Sequence, residues 1–258
     1  MLDKKRKYLQ VALNSTLEEA RLIIDRLPLD ERILIEVGTP LIKNYGAEAI
    51  RKISFWWTQK VFGVPSVEED PSNLLGVIIK SYLKNKNQEK NKIGNKKSSF
   101  NPYIIADLKC MDRGATEVEI AYQGGANAAV ILGQAPVETL NTFIQECEKL
   151  KLDSMVDMMN VECPLEILRQ LKNPPEVVIL HRGVDEEVLD PESEVPFHEI
   201  HRIKENYDVL VAVAGGDTFQ EVQRAIFNDA DIVVVWKSFY QNAADTAKLA
   251  EEFLKDIR

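Results

Sequence analysis

Eight short runs of apolar and β-branched residues punctuate the chain. They are YLQVALN from residue 8, ILIEVG from 33, YIIADLK from 103, AAVILG from 128, SMVDMM from 154, EVVILH from 176, VLVAVAG from 209 and DIVVVW from 231. Most are nearly continuous in apolar character, which is how strands covered on both faces by helices read; half-solvated strands alternate strictly. Between them lie segments of helical periodicity, among them STLEEARLIIDRL from 15, TFQEVQRAIF from 218 and NAADTAKLAEEFLKDI from 242. Ser15 with Glu18 and Thr218 with Glu221 have the form of capping boxes. Strand and helix alternate eight times, so the pattern predicts an α/β fold, a (β/α)8 TIM barrel, spanning residues 1–258 as one domain.

The rhythm fails once. Seventy residues separate the starts of ILIEVG and YIIADLK, where the other strands follow one another after roughly two dozen. A helix beginning near Gly46 fills the first part, and residues 54–101 then read as an insertion. It carries FWW at 55–57, an amphipathic NLLGVIIKSYL at 73–83, and the tract KNKNQEKNKIGNKK at 84–97, too polar to pack and expected to be mobile. Running from a helix to the next strand, the insertion is expected at the bottom of the barrel, away from the catalytic face. Trp56 and Trp57 are expected to cover barrel helices.

Composition narrows the setting. A hydrophobic content of 45% with 28% charged residues is that of a globular chain with a sizeable core. No apolar run reaches the ~20 residues of a membrane span, and MLDKKRKYLQ lacks the apolar centre of a signal peptide, so a cytoplasmic protein with no membrane partner is expected. The formal charge is −9; the 84–97 tract holds six Lys against one Glu, a net of +5, leaving −14 for the rest. That argues against nucleic acid on the main body and keeps it open only for the lysine tract. Cys110, Cys147 and Cys163 show neither metal-site spacing nor an even count, and packing is the expected role of Cys110.

Barrel chemistry collects where strands end. In order the ends present Asn14; Glu36; Asp107 with Lys109 and Asp112; Gly133; Asp157; His181; Gly215 with Gly216; and Trp236 with Lys237. One polar strand end is ordinarily a helix cap; six of eight on one rim point to a site. Asp107 and Lys109, two apart on a strand, share a face, and Asp112 follows at the start of the next helix. An ammonium held between carboxylates stays protonated and is ready for a developing oxyanion. Glu36 ends the neighbouring strand, and two carboxylates without a Cys or His cluster make a hard oxygen site of the kind Mg2+ takes. Gly215 and Gly216 open a helix N-terminus, where an anion binds well, and loops after the last two strands are the usual phosphate grip of such barrels; Lys237 adds a charge beside it.

These segments resemble, in order, those of the 3-hexulose-6-phosphate synthase and 3-keto-L-gulonate-6-phosphate decarboxylase group of the orotidine 5′-phosphate decarboxylase superfamily. LQVALN, IEVGTPLIKNYG, ADLKCMDRGATEVE, VILGQAP, MVDMMNV, VILHRGVD and VAVAGG carry the likeness, ADLKCMD and IEVGTPLIK most specifically. The resemblance implies a homodimer in which Asp112 reaches a neighbouring active site. It also implies Mg2+ on Glu36 and Asp107, Lys109 stabilising an enediolate, His181 transferring the proton, Asp157 positioning a phosphorylated sugar, and Gly215 and Gly216 holding its phosphate. The implied reaction is addition of D-ribulose 5-phosphate to formaldehyde. Decarboxylation of a keto-sugar phosphate is the alternative within the group, and a diverged barrel serving as a binding scaffold the alternative outside it. Val184, where the decarboxylase has Arg, looks like the synthase. Three positions depart from the pattern: Asn14 for Asp, Trp236-Lys237 for Gly-Arg, and Asp217 for an apolar residue.

Overall fold

The computed structural model describes residues 1–63, 100–190, 192–216, 218–241 and 245–257. Its strands are β1 (Tyr8–Leu13), β2 (Ile33–Val37), β3 (Ile104–Cys110), β4 (Ala128–Leu132), β5 (Asp153–Asp157), β6 (Val177–His181), β7 (Leu210–Ala214) and β8 (Ile232–Val235). All eight pair in parallel and in chain order, and β8 closes on β1, forming the expected barrel. The helices described are α1 (Leu17–Arg26), α2 (Thr39–Tyr45), α3 (Ala47–Phe62), α4 (Gly114–Gln123), α5 (Val137–Leu150), α6 (Pro164–Leu168), α7 (Val184–Leu189), α8 (His198–Asn206), α9 (Phe219–Phe227), α10 (Lys237–Gln241) and α11 (Thr246–Asp256). No helix among the described residues is long and apolar enough to cross a membrane.

Why the strands read as continuously apolar is visible in their two faces. Leu9, Val11 and Leu13, like Ile33, Ile35 and Val37, face the helices, whereas Tyr8, Leu34, Ile105, Val130, Met155 and Ile179 fill the barrel interior. Both faces are dry, so no alternation survives in the sequence. The period of two persists underneath it: in β5, Asp153, Met155 and Asp157 lie on one side, with an apolar middle below a polar upper end.

Two local readings are corrected. The first helix is capped one residue later than expected: Thr16 accepts from the Glu19 N–H at 3.2 Å, and Ser15 bonds the Glu19 carboxylate instead. At α9 the Thr218–Glu221 capping box forms as expected. The insertion does not begin at 54, because α3 continues to Phe62 and buries Phe55, Trp56 and Trp57 among the barrel helices. Trp57 is fully buried and meets Phe100 at 6.3 Å between ring centroids, while the Arg21 guanidinium lies 5.3 Å over the Trp56 ring. The expectations for 73–83, for the lysine tract 84–97 and for Asp217 lie outside the described residues.

Candidate active site

At the C-terminal ends of the strands lies a cavity of about 400 Å3. Asn14, Glu36, Asp107, Lys109, Asp157, His181, Gly215 and Trp236 all line it, so one rim gathers most of the strand-end residues named from the sequence. Gln10, Thr39, Arg182 and Glu187 line it as well and were not singled out in the sequence. Gln10 had a signal: it is a polar residue in an apolar strand, and it shares the parity of Asn14, four positions on.

Lys109 is the centre of the charge arrangement. Its Nζ lies 2.8 Å from Asp157 Oδ2 and 3.2 Å from Asp107 Oδ2. The regular-strand argument that aligned Asp107 with Lys109 holds only in outcome. Between Ala106 and Cys110 the register with β4 shifts, four steps along β3 matching two along β4, and Lys109 has a left-handed φ of 44°. A non-glycine residue in that region costs about 1–3 kcal/mol, and such strain concentrates at functional sites. Here it turns the ammonium across the barrel mouth to a carboxylate 48 residues away.

Asp157 is the hub. Its Oδ2 accepts from Lys109 and faces His181 Nδ1 at 2.8 Å, and its Oδ1 accepts from the Met159 N–H at 2.9 Å. Burial pushes this carboxyl up, but His181 and then Lys109 outweigh it and hold it down at about 2. Burial also works against the charged form of His181, yet the Asp157 carboxylate raises it above its ordinary value. A carboxylate only accepts, so the His181 proton sits on Nδ1 and leaves Nε2 for exchange with a ligand. Burial likewise opposes the Lys109 charge, and Asp107, Asp157 and Glu36 together raise its pKa despite that.

Glu36 differs from its neighbours. It is 7% exposed, its carboxylate accepts from the Gln10 amide, and it is pushed up to about 7, first by burial and then by the charge of Asp107. Asp107 in turn accepts from the Thr39 hydroxyl at 2.8 Å. Among the described residues no three His, Cys, Asp or Glu side chains cluster as a complete metal cage. A pair of carboxylates with surplus negative charge at an open cavity does fit Mg2+, which commonly keeps water and substrate oxygens on its remaining positions.

The remaining expectations divide. Asp112 is exposed and stands outside the cavity, its backbone carbonyl 3.0 Å from Cys110 Sγ. Asn14 lines the rim but lies apart from the Lys109 pairings, where Asp107 and Asp157 already balance the ammonium. Lys237 is engaged, its Nζ 2.5 Å from Glu187 Oε2 and 5.8 Å from the Trp236 ring. Gly216 follows Gly215 at the mouth of α9. Cys110 matches its packing role, since burial pushes its thiol up to about 11.

Gly215 is required by geometry. Its φ is +88°, and a Cβ there would lie 2.2 Å from the Arg182 carbonyl oxygen. Gly215→Ala is therefore expected to lower stability by about 2–4 kcal/mol, measured as a shift of the urea midpoint. A shift below about 0.5 kcal/mol would show that the loop relaxes freely.

A closed parallel barrel with buried acids and a lysine at its upper rim defines the class as a TIM-barrel protein with an enzyme-type site. The chain belongs to the orotidine 5′-phosphate decarboxylase / HUMPS family, whose model matches residues 84–253. It is 35% identical over 254 residues to the bifunctional enzyme Fae/Hps of Methanosphaera stadtmanae, covering 96% of this chain and 52% of that protein. The Fae/Hps enzyme of Methanocaldococcus jannaschii is 34% identical over 251 residues, at 97% and 52% coverage. The chain thus spans about half the length of the curated relatives it matches. In fold it resembles 3-hexulose-6-phosphate synthase from Salmonella typhimurium, with a TM-score of 0.70, 24% identity and coverage of 97% and 98% of the two chains. It also resembles 3-keto-L-gulonate-6-phosphate decarboxylase from Vibrio cholerae, with a TM-score of 0.65, 15% identity and coverage of 98% and 97%.

Proposed function

We propose that this barrel is a Mg2+-dependent phosphosugar lyase working through an enediolate, and that its reaction is that of 3-hexulose-6-phosphate synthase. One observation carries the reading: the Lys109 ammonium, paired with Asp107 and Asp157, faces the same cavity as Glu36 and His181. An enediolate spreads negative charge over two oxygens, and a cation already in place lowers the barrier to forming it. The relatives named Fae/Hps, together with Val184 in place of the decarboxylase Arg, favour aldol addition over decarboxylation.

In this reading Glu36 and Asp107 hold Mg2+, whose chemistry there is Lewis-acid polarisation of the sugar oxygens. His181 Nε2 takes the proton from C1 of D-ribulose 5-phosphate, while Asp157 keeps the imidazole oriented through Nδ1. Lys109 stabilises the enediolate oxygens. C1 then forms a bond to the carbon of formaldehyde, and the formaldehyde oxygen receives the proton and becomes a hydroxyl. The backbone at Gly215 and Gly216 receives the phosphate, and the Trp236 ring narrows that end.

The direct test is turnover of ribulose 5-phosphate with formaldehyde in Mg2+, followed as hexulose phosphate formed. No turnover with this or any other pentulose or hexulose phosphate would favour a scaffold.

Asp112, exposed beside exposed Met111, suits a second subunit better than its own cavity. We take the enzyme to be a homodimer with shared sites. Mixing inactive Lys109→Ala with inactive Asp112→Ala subunits is then expected to restore about one quarter of the sites, one in each mixed dimer. Mixed dimers that recover no activity would put Asp112 outside the partner's site.

A further inference from the structure

The phosphate end of the cavity is occupied by a side chain of the protein itself. Glu187 lines the cavity together with Arg182, Gly215 and Trp236. Its Oε2 lies 2.5 Å from Lys237 Nζ, and its Oε1 lies 4.0 Å from Arg182 Nη2. The carboxylate therefore pairs closely with Lys237 and turns its second oxygen toward Arg182 at the outer limit of an ion pair. Arg182 is otherwise anchored: Nη1 donates to the Ser193 carbonyl at 2.6 Å, and Nη2 donates to the Gly215 carbonyl at 2.9 Å and to Glu221 Oε1 at 3.4 Å, while Nε is buried without an acceptor among the described residues.

The element carrying Glu187 is weakly held. No residue of α7 is buried, and Val188 and Leu189 are 66% and 82% exposed. Lys237 and Glu187 are themselves about a quarter exposed, so their ion pair is a weak tether. Six acidic residues also crowd positions 185–194, an unfavourable frame for an incoming dianion unless the nearest of them gives way.

Resting on the phosphosugar reading, we propose that the Glu187 carboxylate holds the place of the substrate phosphate between Lys237 and Arg182, and that phosphate binds by displacing it. A phosphate brings more charge and a third oxygen to the same two cations, so it wins the exchange against a carboxylate on a loosely held helix. Glu187 thereby sets how tightly this end takes phosphate.

The test compares wild type with Glu187→Gln by calorimetric titration in Mg2+, using inorganic phosphate, ribulose 5-phosphate and unphosphorylated ribulose as probes. Glu187→Gln is expected to bind inorganic phosphate and ribulose 5-phosphate about 2- to 5-fold tighter, with ribulose unchanged and the gain shrinking in 0.5 M salt. A merely structural role would loosen binding instead. Equal or weaker phosphate binding by the variant, or an equal gain for ribulose, overturns the displacement while wild-type binding of ribulose 5-phosphate leaves the phosphosugar reading standing. If neither protein, shown folded, binds either phosphate probe, both fall together.

Discussion

Lys109→Ala is expected to lower turnover of ribulose 5-phosphate with formaldehyde by about 10³-fold or more. In the proposed mechanism this ammonium faces the developing enediolate oxygens, and among the described residues no other Lys or Arg pairs with Asp107 or Asp157, the second basic partner of Asp157 being His181. The variant also tests the electrostatic frame. Removing one partner of a buried ion pair costs about 3–5 kcal/mol, so the chain must be shown to remain folded before the kinetic loss is assigned to chemistry. Acid unfolding supplies the control. Asp157, held at about 2 in the folded protein, contributes stability that is present above its unfolded value near 3.8 and is lost as pH falls through about 2. That contribution is about 2–3 kcal/mol in the native protein. Without Lys109 the folded value moves back toward the unfolded one, and stability should fall less steeply between pH 4 and pH 2. Turnover unchanged in a folded Lys109→Ala protein would remove the enediolate mechanism altogether.

The strands were legible because both of their faces are buried, which leaves β-branched runs that no helix period fits. Glu36, Asp157 and His181 were legible for a related reason: a charge ending an apolar strand has one place to go in a barrel. What stayed hidden depends on side-chain reach. No residue spacing announces that Lys109 bypasses regular alternation through a left-handed kink, or that its closer partner is Asp157 rather than Asp107. Lys237 looked like a free phosphate ligand because Glu187 is 50 residues away in sequence. The tryptophans misplaced the start of the insertion because a helix buried on nearly every side shows no polar stripe to mark its length.

Glu36→Gln should separate the catalytic and structural roles of one carboxylate, because its two effects have opposite sign. In Mg2+ its turnover is expected to fall by about 10²-fold or more, since an amide cannot replace a carboxylate in a two-carboxylate site. In chelator, at pH 8, the same variant is expected to be more stable than wild type by about 3 kcal/mol. The sign follows from the raised value. A carboxyl at about 7 when folded and 4.5 when unfolded gives stability that is complete below about pH 4.5 and lost as pH rises through 7. Burial and Asp107 make the charged form costly, and glutamine is never charged. The variant amide also offers a donor to Gln10 Oε1, which is buried without a partner among the described residues. Mg2+ should reverse the comparison, stabilising wild type at pH 8 far more than Glu36→Gln, because the proposed cation would offset the repulsion that Glu36 and Asp107 carry alone. Thermal melts at pH 5 and pH 8, with chelator and with Mg2+, give all four values. Wild-type melting in chelator that does not weaken between pH 5 and pH 8, or a response to Mg2+ equal in both proteins, would place the metal elsewhere than on these two strands.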